Sequence, residues 1–400
     1  MEQLYEILKH VDGFIYPNEI VLQWGILIVL YPFITGLVAG AFILASLERV
    51  FKIKVLRPTY HLALLTALAF MIVAVLPLVS HLGHPFRSYE IMMTPHFSSA
   101  MAIFGFVYLW YLMVVLLLEI WFDYRRDLVV WSNESKGIKR RLYKILTLGV
   151  TDISPKALAW DEKLGYIITV IGVPSAFLLH GYVGFIFGSV KANPWWSSVM
   201  MPVIFLLSAM VSGIALVMFL FMVISWIRKV KIDMACLDEI GKFLFLMLIL
   251  DFTLESLDQV HRIYEAEESF EILHLLVTGK LTYTLFIFQG LMGTIIPLLT
   301  LGFFRIHLPK EKLRKPMYFL ASCLVLFGVF FMRWNVVIGG QLFSKSFLGF
   351  TSFKLGMVGL EGFWMALAWL ILPFLILSFF LWLVPPWKKH AEQSPSDIEV

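Results

Sequence analysis

Nine stretches of mostly apolar residues alternate with polar segments along the chain: roughly 20–47, 60–80, 97–122, 164–188, 199–227, 239–260, 281–303, 317–340 and 358–384. A helix needs about 20 such residues to cross the hydrocarbon of a bilayer. Barrel strands are about half that length and alternate apolar with polar positions. These runs are continuous, so the pattern predicts an all-α polytopic membrane protein with about nine transmembrane helices.

The charges between the runs orient the chain. With the amino terminus outside, the inner segments 48–59, 123–163, 228–242, 304–316 and 385–400 hold 24 of the 32 Lys and Arg residues. The outer segments 1–19, 81–96, 189–198, 261–280 and 341–357 hold seven, and Arg333 lies within a span. Basic residues collect on the cytoplasmic side. The expected arrangement is therefore a multi-pass plasma-membrane protein with the amino terminus outside and the carboxyl terminus cytoplasmic. Residues 1–19 carry Glu2, Glu6, Asp12 and Glu19 and lack a basic start before an apolar run, so they do not read as a signal peptide. Within the inner loop 123–163, the basic amphipathic stretch from Lys139 to Gly149 suits anionic headgroups or a cytoplasmic partner. The tail from Ala391 to Val400 is polar and expected to be disordered.

Composition agrees with membrane embedding. The chain is 60% hydrophobic and only 15% charged, against roughly 25% charged in soluble domains. Cys236 and Cys323 stand alone, which removes a disulfide framework, a haem-attachment motif and a four-cysteine cluster. Gly36 and Gly40 in span 1 permit close helix approach, and Ser212-Gly213 in span 5 echoes them. The echo suggests two parallel four-helix bundles, 20–188 and 199–340, followed by an extra helix 358–384.

Ionisable groups at membrane depth are costly and mark function by default. The densest cluster runs from Ser80 to Phe106 and holds His81, His84, Arg87, Glu90 and His96. His81 and His84 would share a face if the helix continued, and Gly83 and Pro85 mark its break. Tyr31 and Pro32 lie in span 1, and His180 lies in the outer half of span 4. Glu48 and Glu119 fall near inner ends, where water or an arginine suffices for them. In span 6, Asp251, Glu255, Asp258 and Arg262 are spaced four, three and four apart, which places them on one helix face. Such a stripe suits proton exchange or an ion-pair network. Arg333 in span 8 needs a carboxylate partner, expected to be Asp251 or Glu255. Under one topology His81, His84, Arg87, His180, Glu255, Asp258, His261 and Arg333 all fall on the outer half, which describes an outward pocket.

Several motifs resemble the NrfD-type family, the membrane subunits of polysulfide reductase and related quinone-linked complexes. They are Gly36-Leu-Val-Ala-Gly-Ala, His81-Leu-Gly-His-Pro-Phe-Arg, Thr94-Pro-His-Phe-Ser-Ser, His180-Gly-Tyr-Val-Gly and Arg333-Trp-Asn-Val-Val-Ile-Gly-Gly-Gln. The chain looks most like the longer branch, with the hydrogenase-type and sulfite-reductase-associated subunits. The resemblance implies a subunit without haem or iron–sulfur of its own that binds menaquinone or another quinone near the outer face. It also implies a ferredoxin-like iron–sulfur subunit docked on that face, with further membrane cytochrome and cytoplasmic redox subunits. His81 and His84 stand where the family has Asp and Arg. The expected quinone-binding residues are Tyr31, His81, His84, Arg87 and His180. Asp251, Glu255, Asp258 and Arg333 are the expected proton path. No metal site and no nucleic-acid partner are expected. A proton or solute carrier without a redox role, and a b-type cytochrome using His180 with His81 or His261, remain as alternatives.

Overall fold

The structure, a computed structural model, describes residues 11–94, 96–265 and 269–387. The first ten residues of the amino-terminal segment and the tail from 388 onward lie outside the described residues. Eight helices among the described residues are long and apolar enough to cross a membrane: α1 Ile26–Arg49, α2 Lys54–His81, α3 Ala100–Glu134, α4 Pro155–Gly188, α5 Met201–Ile227, α7 Thr282–Ile306, α8 Glu311–Gln341 and α9 Phe363–Leu383. Between α5 and α7 lies α6, Met234–Glu265, a helix of 32 residues. It corresponds to the sixth apolar run. At 1.5 Å per residue it is about 48 Å long, enough to span. Its carboxylates, rather than its length, set it apart from the other eight.

α1 is the centre of the molecule, and every side chain from Ile26 to Ser46 is buried. It packs against α2, α4, α5, α8 and α9. Where α1 crosses α5 the backbones touch. A Cβ on Gly40 would lie 2.2 Å from the Ala209 carbonyl oxygen, and one on Gly213 would lie 2.4 Å from the Gly40 Cα. The two small-residue motifs therefore face each other across one crossing. Lipid is as apolar as the helices, so close packing of this kind, rather than hydrophobic expulsion, holds them together. Around that crossing, α2 and α4 pack with α1, α6 and α8 pack with α5, α3 packs on α4 and α2, α7 packs on α8 and α6, and α9 lies on α2 and α1.

The helices outrun the apolar stretches that predicted them. α3 continues to Glu134 and α4 begins at Pro155, so most of the expected loop 123–163 is helical. Charged residues past the hydrocarbon edge continue these helices because they pair across them: Arg125 Nε donates to Asp161 Oδ2 at 2.6 Å. Ser154 caps α4 by accepting from the Ala157 N–H at 3.3 Å. The basic stretch forms the helix Gly137–Leu146. Its Tyr143 hydroxyl donates to the Leu383 carbonyl at 2.7 Å, and the Lys139 ammonium sits 4.2 Å from the Trp382 ring centre. One side of it is thus docked on the end of α9.

At the end of the bundle that carries His81, the connections clamp one another. β1 Asp12–Gly13 pairs antiparallel with β2 Gly349–Phe350. Gln341 bonds both the N–H and the carbonyl of Trp24 at 3.0 Å, fixing the entry to α1. The indoles of Trp195 and Trp196 donate to the Asn335 and Val336 carbonyls at 2.9 and 2.6 Å, filling acceptors left open where α8 ends. Gly340 leaves room for this, since a Cβ there would lie 2.0 Å from Trp196 Nε1.

Candidate functional site

His180 and Arg333 are fully buried and meet between α4 and α8. His180 Nε2 lies 3.0 Å from an Arg333 Nη, and His180 Nδ1 lies 3.3 Å from Thr35 Oγ1 on α1. A guanidinium donates only, so Nε2 accepts and the ring hydrogen sits on Nδ1, donating to Thr35. Thr35 passes its own hydroxyl hydrogen to the Tyr31 carbonyl at 3.0 Å. The result is a directed chain from Arg333 through His180 and Thr35 to the backbone of Tyr31. Gly36 makes the approach possible, because a Cβ there would lie 3.2 Å from His180 Cε1.

Arg333 also donates to Ser208 Oγ at 2.7 Å and to the Phe205 carbonyl at 3.3 Å, and its guanidinium lies 4.0 Å from the Phe205 ring centre. The expected ion pair with Asp251 or Glu255 does not form. Arg333 reaches toward α4 and α5, and its hydrogen bonds end there except for one to the Met332 sulfur on its own helix, at 2.9 Å. The two carboxylates remain within its electrostatic range. They line a narrow cavity of about 10 Å³ with Ser208, Gln289, Thr294 and Met332, room for roughly one water. Gln289 on α7 donates to Glu255 at 3.2 Å and accepts from Asn335 at 2.8 Å. Asp251 Oδ1 is buried without a hydrogen-bond partner among the described residues. Ser208 thus borders both the Arg333 cluster and the carboxylate cavity.

Asp258 stands apart from that cavity. It accepts from Arg262 at 2.9 Å and from Ser198 at 2.5 Å, and Arg262 also donates to the Pro194 carbonyl at 2.5 Å. This ties α6 to the loop before α5, so the stripe divides into a cavity pair and a structural ion pair.

Tyr31 is buried, and its ring packs edge-on against Phe104 at 5.4 Å. Its hydroxyl has no partner among the described residues. Tyr108 and Tyr182 are its electrostatic neighbours.

The histidine-rich loop is separate. α2 ends at His81, whose Nδ1 lies 2.7 Å from Glu361 Oε1. His84 follows the helix end and is exposed, so the two histidines share no helix face. Arg87 is exposed and bound twice to Glu90, at 2.9 and 3.0 Å. Hydrogen bonding from this guanidinium holds Glu90 below the usual range. Among the described residues, no hydrogen bond or ion pair joins His81, His84 or Arg87 to the His180 cluster. The structure therefore brings His180 and Arg333 together, adds Thr35, Phe205, Ser208 and Gln289 to them, and leaves the loop residues on the surface. The added polar residues carry no sequence signal beyond a hydroxyl or amide in an apolar run.

Comparison with known proteins agrees with the motifs. The chain is 30% identical to a selenate reductase subunit of Mesobacillus selenatarsenatis, over 79% of this chain and 73% of that one. It is 28% identical to a putative dimethyl sulfoxide reductase membrane subunit of Halobacterium salinarum, over 80% and 69%. It is 24% identical to an NrfD homolog of Haemophilus influenzae, over 80% and 95%. Residues 17–345 match the polysulphide reductase NrfD family. With these matches and its bundle of apolar helices, the chain belongs to the NrfD family of multi-pass membrane proteins.

Proposed function

We propose that this membrane redox-complex subunit binds a quinone, menaquinone by class, beside Tyr31 and His180 and exchanges electrons with an iron–sulfur partner. The observation that carries the reading is the buried Tyr31 hydroxyl without a partner, standing one turn from the Thr35–His180–Arg333 chain. An orphaned buried donor costs free energy unless a ligand completes it, and a quinone carbonyl oxygen suits it. Phe104 supplies an aromatic wall for a flat ring. Both His180 ring nitrogens are already engaged, which favours this reading over axial ligation of a haem.

A quinol, when bound, supplies two electrons and two protons. The residues of the chain have tasks around that chemistry. Tyr31 donates to a carbonyl oxygen. Arg333 and Thr35 hold the His180 ring in one tautomer. Asp251 and Glu255, across Ser208, are positioned to receive protons. In the topology read from the loop charges, this end of the bundle faces outside the plasma membrane. Phe86, Tyr89, Met93 and Phe97, all at least 60% exposed, surround the Arg87–Glu90 pair on that end. An apolar patch with a polar centre suits the docking of the iron–sulfur subunit. The relatives named as reductase membrane subunits support a redox role over a solute carrier.

The test is menaquinol-analogue oxidation by the purified complex. Tyr31→Phe and His180→Ala are expected to lose about 100-fold or more in rate, whereas Arg87→Ala should keep its rate with an artificial electron acceptor. Wild-type rates in both core variants would overturn the site.

A further inference from the structure

At the opposite end of the bundle from His81, α1 to α4 enclose a second buried polar set that the quinone site does not use. Glu119 on α3 is 0% exposed. Its Oε1 accepts from Thr169 on α4 at 2.8 Å and from the Tyr60 hydroxyl on α2 at 3.3 Å. Its Oε2 has no hydrogen-bond partner among the described residues. Near the inner end, an arginine or water was the expected answer for this carboxyl group, yet Arg49 on α1 is committed elsewhere. Arg49 donates to the Tyr60 hydroxyl at 2.6 Å and to Asp123 at 3.4 Å. Asp123 lies 2.8 Å from His61 Nε2.

Two features separate this set from a structural ion-pair network. The first is the bonding of Glu119, which rests on two hydroxyls at one oxygen and leaves the other open. A permanent buried charge calls for a paired cation or a full set of donors. The second is the route out. The side chains of Arg49, His61 and Asp123 are each 13–14% exposed, and the Tyr60 hydroxyl bonds both Arg49 and Glu119. Toward the bundle interior the next polar group is the Tyr111 hydroxyl, also buried without a partner and in electrostatic range of Glu119. The groups around Glu119 are thus Arg49 from α1, Tyr60 and His61 from α2, Tyr111 and Asp123 from its own helix, and Thr169 from α4.

We propose that Glu119 is a proton-exchange site, loaded and unloaded from the membrane face where His61 and Asp123 surface, opposite the His81 loop. The step is a proton transfer alone. The Tyr60 hydroxyl gives its hydrogen to the Glu119 carboxylate and takes a replacement proton from solvent admitted beside the His61–Asp123 pair, and the reverse order unloads the site. No electron moves. The site gives the chain proton contact with the second face of the membrane, and it does not depend on the quinone assignment.

The full-length protein in oriented phosphatidylglycerol vesicles tests this by infrared difference spectroscopy in the carboxyl carbonyl region, after a pH jump on one side. The expected result is a band that titrates from the Arg49–His61 side only. It disappears in Glu119→Gln, which keeps both hydroxyl contacts, and it shifts in frequency in Glu119→Asp. His61→Asn should retain the band and slow its response at least about tenfold. If Glu119→Gln does not fold, the frequency shift in Glu119→Asp carries the assignment. A band unchanged in both variants, one insensitive to pH on either side, or one that responds only from the His81 side would overturn the proposal. Quinol oxidation is not read, so failure of the quinone site leaves this result intact.

Discussion

The His180–Arg333 contact makes a quantitative prediction about how the core of the site is held. At 3.0 Å, with both residues fully buried, only Arg333 can donate. A hydrogen bond with one charged partner contributes about 1.5–3 kcal/mol. Arg333→Met removes that bond and also strands His180 Nε2, which adds a desolvation penalty, while the Ser208 hydroxyl keeps its bond to the Phe205 carbonyl at 2.9 Å. The total should reach about 3–5 kcal/mol, as for other broken buried charge networks. His180→Phe leaves Arg333 its bonds to Ser208 and the Phe205 carbonyl, so it should cost less. In a double-mutant cycle read by reversible unfolding in mixed micelles, the two changes should couple by about 1.5–3 kcal/mol. Arg87→Ala combined with His180→Phe is the control and should be additive within about 0.5 kcal/mol. Additivity of Arg333→Met and His180→Phe would refute the directed chain from Arg333 to Thr35, and with it the fixed tautomer of His180.

Gly340→Ala places a Cβ 2.0 Å from Trp196 Nε1. It should displace the indole from the Val336 carbonyl and cost about 1–3 kcal/mol, visible as a lower unfolding midpoint and altered Trp fluorescence. Arg87→Ala breaks only an exposed pair and should change stability by less than about 1 kcal/mol, while weakening co-purification of an iron–sulfur partner. At the start of α4, the Ser154 N–H donates to Asp152 at 2.8 Å and holds that carboxyl below its usual range. This cap is therefore present above the ordinary aspartate range and is lost as pH falls through the lowered value. Amide exchange at Ser154 should accelerate there, and Asp152→Asn should remove that pH dependence.

The membrane helices were legible because an apolar run of span length has few other uses, and Gly36 and Gly40 marked α1 for close helix approach. Their ends were not legible. Arg125 and Asp161 look like loop residues in a linear scan, yet together they continue α3 and α4 past the hydrocarbon edge. The histidine loop drew attention through its density of titratable groups, its helix break and its family motifs. Density along the chain says nothing about which way side chains point, and Arg87 turned out to serve Glu90 on the surface. Glu119 shows the reverse case. A single carboxylate near a helix end looked solvated, and only the packing of α1, α2 and α4 around it takes it out of water.

By itself the sequence determined the class, the spans, the family motifs and the isolated ionisable residues at depth, because hydropathy and helical spacing are local properties. The choice of partners belongs to the tertiary structure. Whether Arg333 meets a carboxylate or a histidine depends on which faces of α4, α5 and α8 meet. The close crossing of Gly40 with Gly213 sets much of that arrangement. Hydrogen bonds at that depth form only between groups that the packing brings within about 3 Å, and residues far apart in the chain, such as Thr35, His180 and Arg333, became one site only in the folded bundle.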